Sequence, residues 1–496
     1  MPQRNSAIAN PAILKVVTAG LVTLLFVAVW VKNITDSPIM HDATENLQLA
    51  INLQHNHTYS VDERAPYHPS MVREPVPVLT IALAVKVVDA VLGPAEPRMY
   101  LQGTRARLVK LQNVVWMALL CLTVYYSIYS LSSSFYLGLL GVVLINKVPL
   151  VTSGLVYGTL LIDTLYTEIP AATLLLLGST LLAQGAKRSR SWLIVGAGLS
   201  FGALALTKAA FLYVFFGMLT LLIAVALCRR SRATEGWPDL RQLLVLSLGF
   251  FVMVVPWLIR NYEEVGSLQI AGRGGLALYE RAVYDDMTND ELRATLYWWA
   301  PDSVTQWIFG RALDLSAKDF LHRDSPLRRL SKDPDSDFYD EDVAAMQAGT
   351  PEKAISFYFK SYGDKQQLLY GLEASGVANP DVVADKLVSQ RALTIMRTHP
   401  LRQLLMVPLF MYRAAAYLFL ALTGALVYVL KKQRWDLVIM VMPGMLLLLL
   451  YASLTDYITR YAVLVRPLAI VVILLALQAG WNEHRRQIHG PRAAAS

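Results

Sequence analysis

Two carboxylates three residues apart carry the clearest chemical potential in this chain. The run Met40-His41-Asp42-Ala43-Thr44-Glu45-Asn46 puts Asp42 and Glu45 on one face of a predicted helix. At a membrane surface, where the local dielectric is low, such a carboxylate is a candidate general base for a hydroxyl group. A helix start also favours acids, through the macrodipole, and spacing alone does not separate the two readings. His41, His55, His57 and His68 lie in the same segment and invite a metal site with Asp42 and Glu45 as further ligands. Their spacings match no zinc pattern, so no metal is expected.

Cations recur at the ends of apolar runs. Arg73-Glu74-Pro75 precedes one, Thr207-Lys208 ends another, Arg260-Asn261-Tyr262 follows Pro256-Trp257, and Arg273 stands before Gly274-Gly275. Each could anchor a span by snorkelling, or offer a phosphate its charge, with the planar fork in the case of arginine. The side of the membrane on which they sit decides between these readings, and that depends on the elements.

Of 496 residues, 55% are hydrophobic and 17% charged, against about 25% charged in soluble domains, which excludes a soluble enzyme. Bilayer-length apolar runs occur at about 12–31, 76–93, 108–130, 168–186, 192–208, 210–228, 241–259, 412–430, 435–453 and 462–480. The first is expected to stay as an anchor, because its apolar stretch is long and no small-residue cleavage site follows. Cys121 and Cys228 sit within or at the end of such runs, leaving no disulfide framework or cysteine zinc site. The basic residues flank spans and form no stripe for nucleic acid.

Short loops around Arg98, Arg105, Arg107 and Lys110, around Lys187, Arg188 and Arg190, around Arg229, Arg230 and Arg232, and around Lys431, Lys432 and Arg434 are expected to be cytoplasmic. The long segments 32–75 and 260–402 hold 3 and 17 Lys plus Arg against 6 and 22 Asp plus Glu, so both are expected outside. Residues 132–167 read either as two short spans or as a re-entrant hairpin, which gives twelve spans, or ten and a hairpin. The expected fold is therefore all-α and polytopic, with about 10–13 transmembrane helices and a helical outer domain. Three parts follow: a membrane module over 1–259, an outer domain over 260–402 with a helix near 381–397, and C-terminal spans with a cytoplasmic tail over 403–496. In this topology Arg73, Lys208, Arg260 and Arg273 converge on the outer face against the charge rule, which an anionic ligand would explain.

Asp42, Arg73-Glu74-Pro75, Thr167-Glu168, Ala205-Leu206-Thr207-Lys208, Pro256-Trp257-Leu258-Ile259-Arg260-Asn261-Tyr262 and Arg460-Tyr461 with Pro467 occur in an order that resembles the GT-C class of polytopic glycosyltransferases. The nearest groups are the bacterial relatives of protein mannosyltransferases and the aminoarabinose transferase of lipid A. The resemblance covers about residues 12–480, and Pro-Trp-x-x-Arg-Asn-Tyr is its most specific element. It implies a GT-C-like fold, a polyprenyl-phosphate sugar as donor, a glycan, lipid or protein acceptor, and inverting transfer on the outer face of a bacterial inner membrane. It places Asp42 as catalytic carboxylate with Glu45 beside it, and Arg73, Lys208, Arg260 and Arg273 as donor phosphate ligands. Glu168, Arg460 and Tyr461 are further site candidates, and no cofactor is implied. Many relatives carry an adjacent acidic pair, whereas here Ala43 follows Asp42 and the role of Glu45 stays open. The competing class is a transporter or lipid flippase, for which Lys86, Asp89, Lys147 and Asp163 would be intramembrane polar groups.

Overall fold

The computed structural model describes residues 11–147, 160–228, 236–377, 379–456 and 459–489, and among these every regular element is helical. The first half runs α1 (Pro11–Lys32), α2 (Asp42–Asn56), α3 (Pro75–Leu92), α4 (Gly103–Lys110), α5 (Gln112–Ser132), α6 (Phe135–Lys147), α7 (Glu168–Arg188), α8 (Ser191–Ala205), α9 (Ala210–Cys228) and α10 (Leu240–Val265). The set expected outside comprises α11 (Gly274–Ala282), α12 (Asn289–Trp298), α13 (Ser303–Leu313), α14 (Lys318–Leu321), α15 (Tyr339–Ala348), α16 (Phe357–Ala374) and α17 (Pro380–Thr398). The bundle is completed by α18 (Pro400–Lys431), α19 (Trp435–Leu454), a short α20 (Thr459–Val463) and α21 (Arg466–His489).

By length and composition, seven of these segments can cross a membrane: α3, α4 with α5, α7, α9, α10, α18 and α19. The central one is α7, buried along most of its length and packed on α5, α8, α19 and α21. Its 21 residues span roughly 30 Å at 1.5 Å per residue, and its ends define the two sides of the bundle. One end carries Glu168. At the other, Lys187 pairs with Asp436 at 3.3 Å and Arg188 donates to the carbonyl of Ser130. Small residues set the closest crossing, between α8 and α10. A Cβ at Gly198 would lie 2.3 Å from the Leu246 carbonyl oxygen, so no side chain fits there.

The contacts of α3 correct the expected topology. Its N-terminal end joins the outer ends of α8 and α9, where Val76 N–H donates to the Leu206 carbonyl and the Glu74 carboxylate accepts from Ala209 N–H. Its C-terminal end is tied to α2, since Asp89 meets His55 at 2.7 Å. The chain then returns to the end of α1, with Ile39 N–H donating to the Leu101 carbonyl and Gly103 N–H to that of Asp36. Both ends of α3 thus lie on the Asp42 side. The helix exposes Leu79, Leu83, Val87 and Val91 as a stripe at helical spacing, a pattern that fits a helix lying in a membrane surface. The loop holding Arg98, Arg105, Arg107 and Lys110, expected on the opposite side from Asp42, lies at the same end of the bundle as Asp42, with two of its cations paired. Lys110 is buried and bonded to Asp163 at 3.1 Å and to the carbonyls of Thr35 and Ser37, and Arg105 faces Asp89 at 3.6 Å.

In the ambiguous stretch, α6 runs toward the end of the bundle that holds the C-terminus of α1, where Trp30 donates to Asn146 at 2.9 Å. The choice between two spans and a hairpin turns on 148–159, outside the described residues. At the C-terminal end of α10 the helix continues past the expected limit of 259 to Val265, and Gly266 closes it at φ 74°. The helix near 381–397 is α17, as its spacing suggested.

Aromatic packing joins the set expected outside to the bundle. Tyr284 meets Trp299, Phe357 and Phe410, and Trp298 stacks on Phe320 at 4.5 Å. Asp456, just beyond α19, accepts from Lys332 at 2.9 Å and from Arg413 of α18. Burial pushes Asp456 up, but the two cations outweigh it and hold the carboxyl at about 2.

Candidate active site

Asp42 opens α2 but does not cap it. No side chain caps this helix, and both oxygens of Asp42 face guanidinium groups. Oδ1 accepts from Arg73 Nη2 at 2.6 Å and from Arg273 Nη1 at 3.2 Å, while Oδ2 accepts from Arg460 Nη2 at 2.8 Å. Glu45, one turn on and on the same face, takes Arg73 Nε at 2.7 Å through Oε2 and Arg273 Nη2 through Oε1. Glu168 holds Lys208 at 2.9 Å and lies 3.3 Å from Arg460 Nε, which links it to the same cluster.

Each group is delivered by a different element. The turn Tyr59 to Pro75 presents Arg73, whose carbonyl accepts from the Tyr59 hydroxyl at 2.9 Å. Arg273 ends the loop entering α11, and that helix start is fixed from α17: Gly275 and Leu276 donate their amide N–H groups to Asp385 at 2.8 and 3.0 Å. Only glycine fits at 275, where a Cβ would sit 2.0 Å from the Asp385 carbonyl oxygen. The short helix α20 carries Arg460 and Tyr461. Lys208 and Arg460 lie 5.1 and 5.6 Å from the Tyr461 ring centre, and Arg460 also covers Tyr166 at 4.7 Å.

Four cations therefore meet three carboxylates, leaving one positive charge in excess. Burial pushes Asp42 upward, yet Arg73, Arg460 and Arg273 outweigh it and hold the carboxyl well below the usual range. Burial alone would lower Arg73 and Arg460, but the facing carboxylates keep both firmly protonated. The cluster opens to solvent where Arg273 is 36%, Glu45 34% and Asp42 30% exposed, whereas Arg73 and Arg460 are 11% exposed.

The structure thus brings together Asp42, Glu45, Arg73, Lys208, Arg273, Glu168, Arg460 and Tyr461. Arg260 stands apart. It lies on the last turns of α10, 5.1 and 5.3 Å from the Trp257 and Tyr59 rings, and donates to the Ser70 carbonyl at 2.7 Å. It braces the turn that carries Arg73 and touches neither Asp42 nor Glu45.

Glu280 was not singled out in the sequence. It lies on α11 two turns beyond Arg273, and burial with the nearby Asp456 raises it to about 7 against the pull of Lys332, Tyr362 and Arg273. The spacing from Arg273 was the available signal. The histidines are placed elsewhere: His55 pairs with Asp89 and His68 with Asp62, and no three potential metal ligands group together among the described residues. Of the polar residues that would favour transport, three lie at the same end as Asp42, and Lys147 is exposed at the end of α6. Asp163 and Asp89 lock the first outer segment through Lys110, Thr35, Ser37, His55 and Tyr100, and Lys86 is exposed on α3.

No protein-family model matches the chain, and no curated protein matches it in sequence. Among solved structures, the apo crystal structure of the Archaeoglobus fulgidus oligosaccharyltransferase aligns over 96% of this chain and 51% of its own, at 13% identity and a TM-score of 0.47. The oligosaccharyltransferase AglB from the same organism, in complex with an inhibitory peptide and a dolichol-phosphate, aligns over 95% and 50%, at 13% identity and a TM-score of 0.37. The chain spans about half the length of these proteins.

Proposed function

We propose that this protein is an inverting glycosyltransferase that moves a sugar from a polyprenyl-phosphate donor to an acceptor hydroxyl at the outer face of a bacterial inner membrane. The observation that carries the reading is the cluster of Arg73, Arg273 and Arg460 around Asp42, at the end of the bundle that holds α3. The sequence resemblance to GT-C enzymes supports the same assignment.

The donor phosphate takes the open side of the cluster, held by Arg73 and Arg273, with its isoprenoid tail in the bilayer. Arg460 and Lys208 add positive field behind it. The acceptor oxygen attacks the anomeric carbon, the carbon–oxygen bond to phosphate breaks, and the leaving polyprenyl phosphate keeps the bonding pair. Its growing charge is met by guanidinium groups already in place. Asp42 takes the acceptor proton. A carboxylate so strongly stabilised is a weak base, but an acceptor hydroxyl becomes acidic as it bonds to an oxocarbenium-like centre, so late proton transfer suffices. An incoming phosphate also draws the arginines away from Asp42 and raises its basicity. No metal or soluble cofactor enters this scheme.

The test is release of polyprenyl phosphate, with sugar transfer to acceptor, by purified protein. Arg73→Ala should lower turnover of the lipid donor by ~10- to 1000-fold, with Lys rescuing only in part because it lacks the fork. Normal turnover by the alanine variant would reduce these arginines to membrane anchors.

A further inference from the structure

The two carboxylates of the cluster are bound differently, and the difference gives Glu45 a task of its own. Asp42 is held by three arginines, Arg460 on one oxygen and Arg73 with Arg273 on the other. Glu45 instead bridges Arg73 Nε and Arg273 Nη2 with its two oxygens, at the exposed edge of the cluster. Two oxygens of one anion on N–H groups of two guanidiniums is the arrangement a phosphate would adopt there. With two arginines holding it against three on Asp42, Glu45 is the carboxylate an incoming phosphate displaces more readily.

Resting on the glycosyltransferase reading, we infer that Glu45 is a positioning residue that occupies the donor phosphate seat when the site is empty and swings out as the lipid phosphate enters. The geometry permits this. Glu45 has three rotatable bonds, sits on the first turn of α2 and is one third exposed, so its carboxylate reaches water without moving the helix. Asp42 has a shorter side chain and a third arginine, and it stays. The exchange keeps Arg73 and Arg273 paired throughout: without ligand they are neutralised by Glu45, with ligand by phosphate. It also selects for charge, since a neutral lipid headgroup cannot replace a carboxylate on two guanidiniums. The cost is affinity, because the seat is available only in the fraction of molecules with Glu45 turned out.

The experiment measures binding of a polyprenyl phosphate without sugar, in detergent micelles, to wild type, Glu45→Gln, Glu45→Asp and Arg73→Ala, followed by donor turnover. Glu45→Gln should bind on the order of tenfold or more tighter, as expected when a competing state populated above ~90% is removed. Glu45→Asp separates occupancy from net charge: it keeps the charge but is one methylene too short to bridge both arginines, so it should also tighten. In turnover both variants should show a lowered KM, and a kcat lowered less than by Asp42→Asn. Unchanged or weaker binding by Glu45→Gln, with Arg73→Ala still impaired, would overturn the inference and leave the glycosyltransferase reading standing. Tightening by Gln but not by Asp would also overturn it, leaving a simple charge effect. Indifference of binding to Arg73→Ala would instead bring down the functional reading on which it rests.

Discussion

Asp42→Asn is the perturbation that bears most directly on the chemistry. Asn has nearly the shape of Asp and keeps one oxygen to accept from Arg73 and Arg273, but it has no negative charge and cannot take a proton. The structural cost should be small. The Arg73 and Arg273 bonds pass to the amide oxygen, while the Arg460 bond is lost because the amide NH2 would meet it donor against donor, a cost of about 1–3 kcal/mol in all. That figure is reduced because Asp42 is 30% exposed and because Glu45 and Glu168 still face the same arginines. The thermal midpoint in detergent should fall by only a few degrees. The catalytic cost should be large, at least ~100-fold in kcat, or about 2.7 kcal/mol of barrier. Donor affinity should hold or rise, since a negative charge beside the phosphate seat is gone. The assay is sugar transfer under saturating and limiting donor, with donor binding measured in parallel, so that kcat and KM separate. A helix-start role predicts the opposite, because Asn serves a helix N-terminus as well as Asp. An Asn variant with normal kcat would remove Asp42 from the mechanism.

Other outcomes follow from the same geometry. In a Cys228→Ser background, cysteines at Glu63 and Glu96 should label from outside intact cells and one at Ser189 only after permeabilisation; exclusion of the Glu96 position would restore α3 as a span. Lys208→Met leaves Glu168, 1% exposed, with Arg460 alone. It should destabilise by about 2 kcal/mol, below the 3–5 of a fully orphaned buried charge, and Glu168→Gln on top should recover most of it; a double variant no better than the single would refute the pairing. Between pH 6 and 8 the phosphodiester donor, Asp42 and the arginines keep their charge, whereas Glu280, raised to about 7, is neutral below that value and ionised above it. Donor binding should therefore weaken as pH rises through about 7, and Glu280→Gln should flatten the profile. A limb that persists in the Gln variant would assign the titration to another group.

The parts of the site that could be read from sequence are those whose meaning is local. Asp42 and Glu45 share a helix face by spacing alone, and Arg73 stands directly before the proline that starts α3. Arg460 is different: its partner lies 418 positions away, so no window of sequence reveals that it closes the third side of Asp42. Arg260 is the opposite case. The motif around it is distinctive, yet the helix runs on through it to Gly266 and turns its guanidinium to the Ser70 carbonyl and two rings.

The contacts of α3 show what hydropathy and loop charge leave out. Apolar length measures what a helix can bury, and α3 buries one face on its neighbours while keeping a stripe for lipid, which suits a helix in the membrane surface as well as one across it. The charge rule should have objected, but Lys110 and Arg105 are neutralised by Asp163 and Asp89, acids distant in sequence that the count assigned to other segments. Unpaired charge is what resists crossing, and pairing is a tertiary property. The same pairing makes the candidate site: Arg73, Arg273 and Arg460 gather at one end of the bundle because Asp42, Glu45 and Glu168 hold them there, and the one positive charge left over among these groups and Lys208 is what a lipid phosphate would answer.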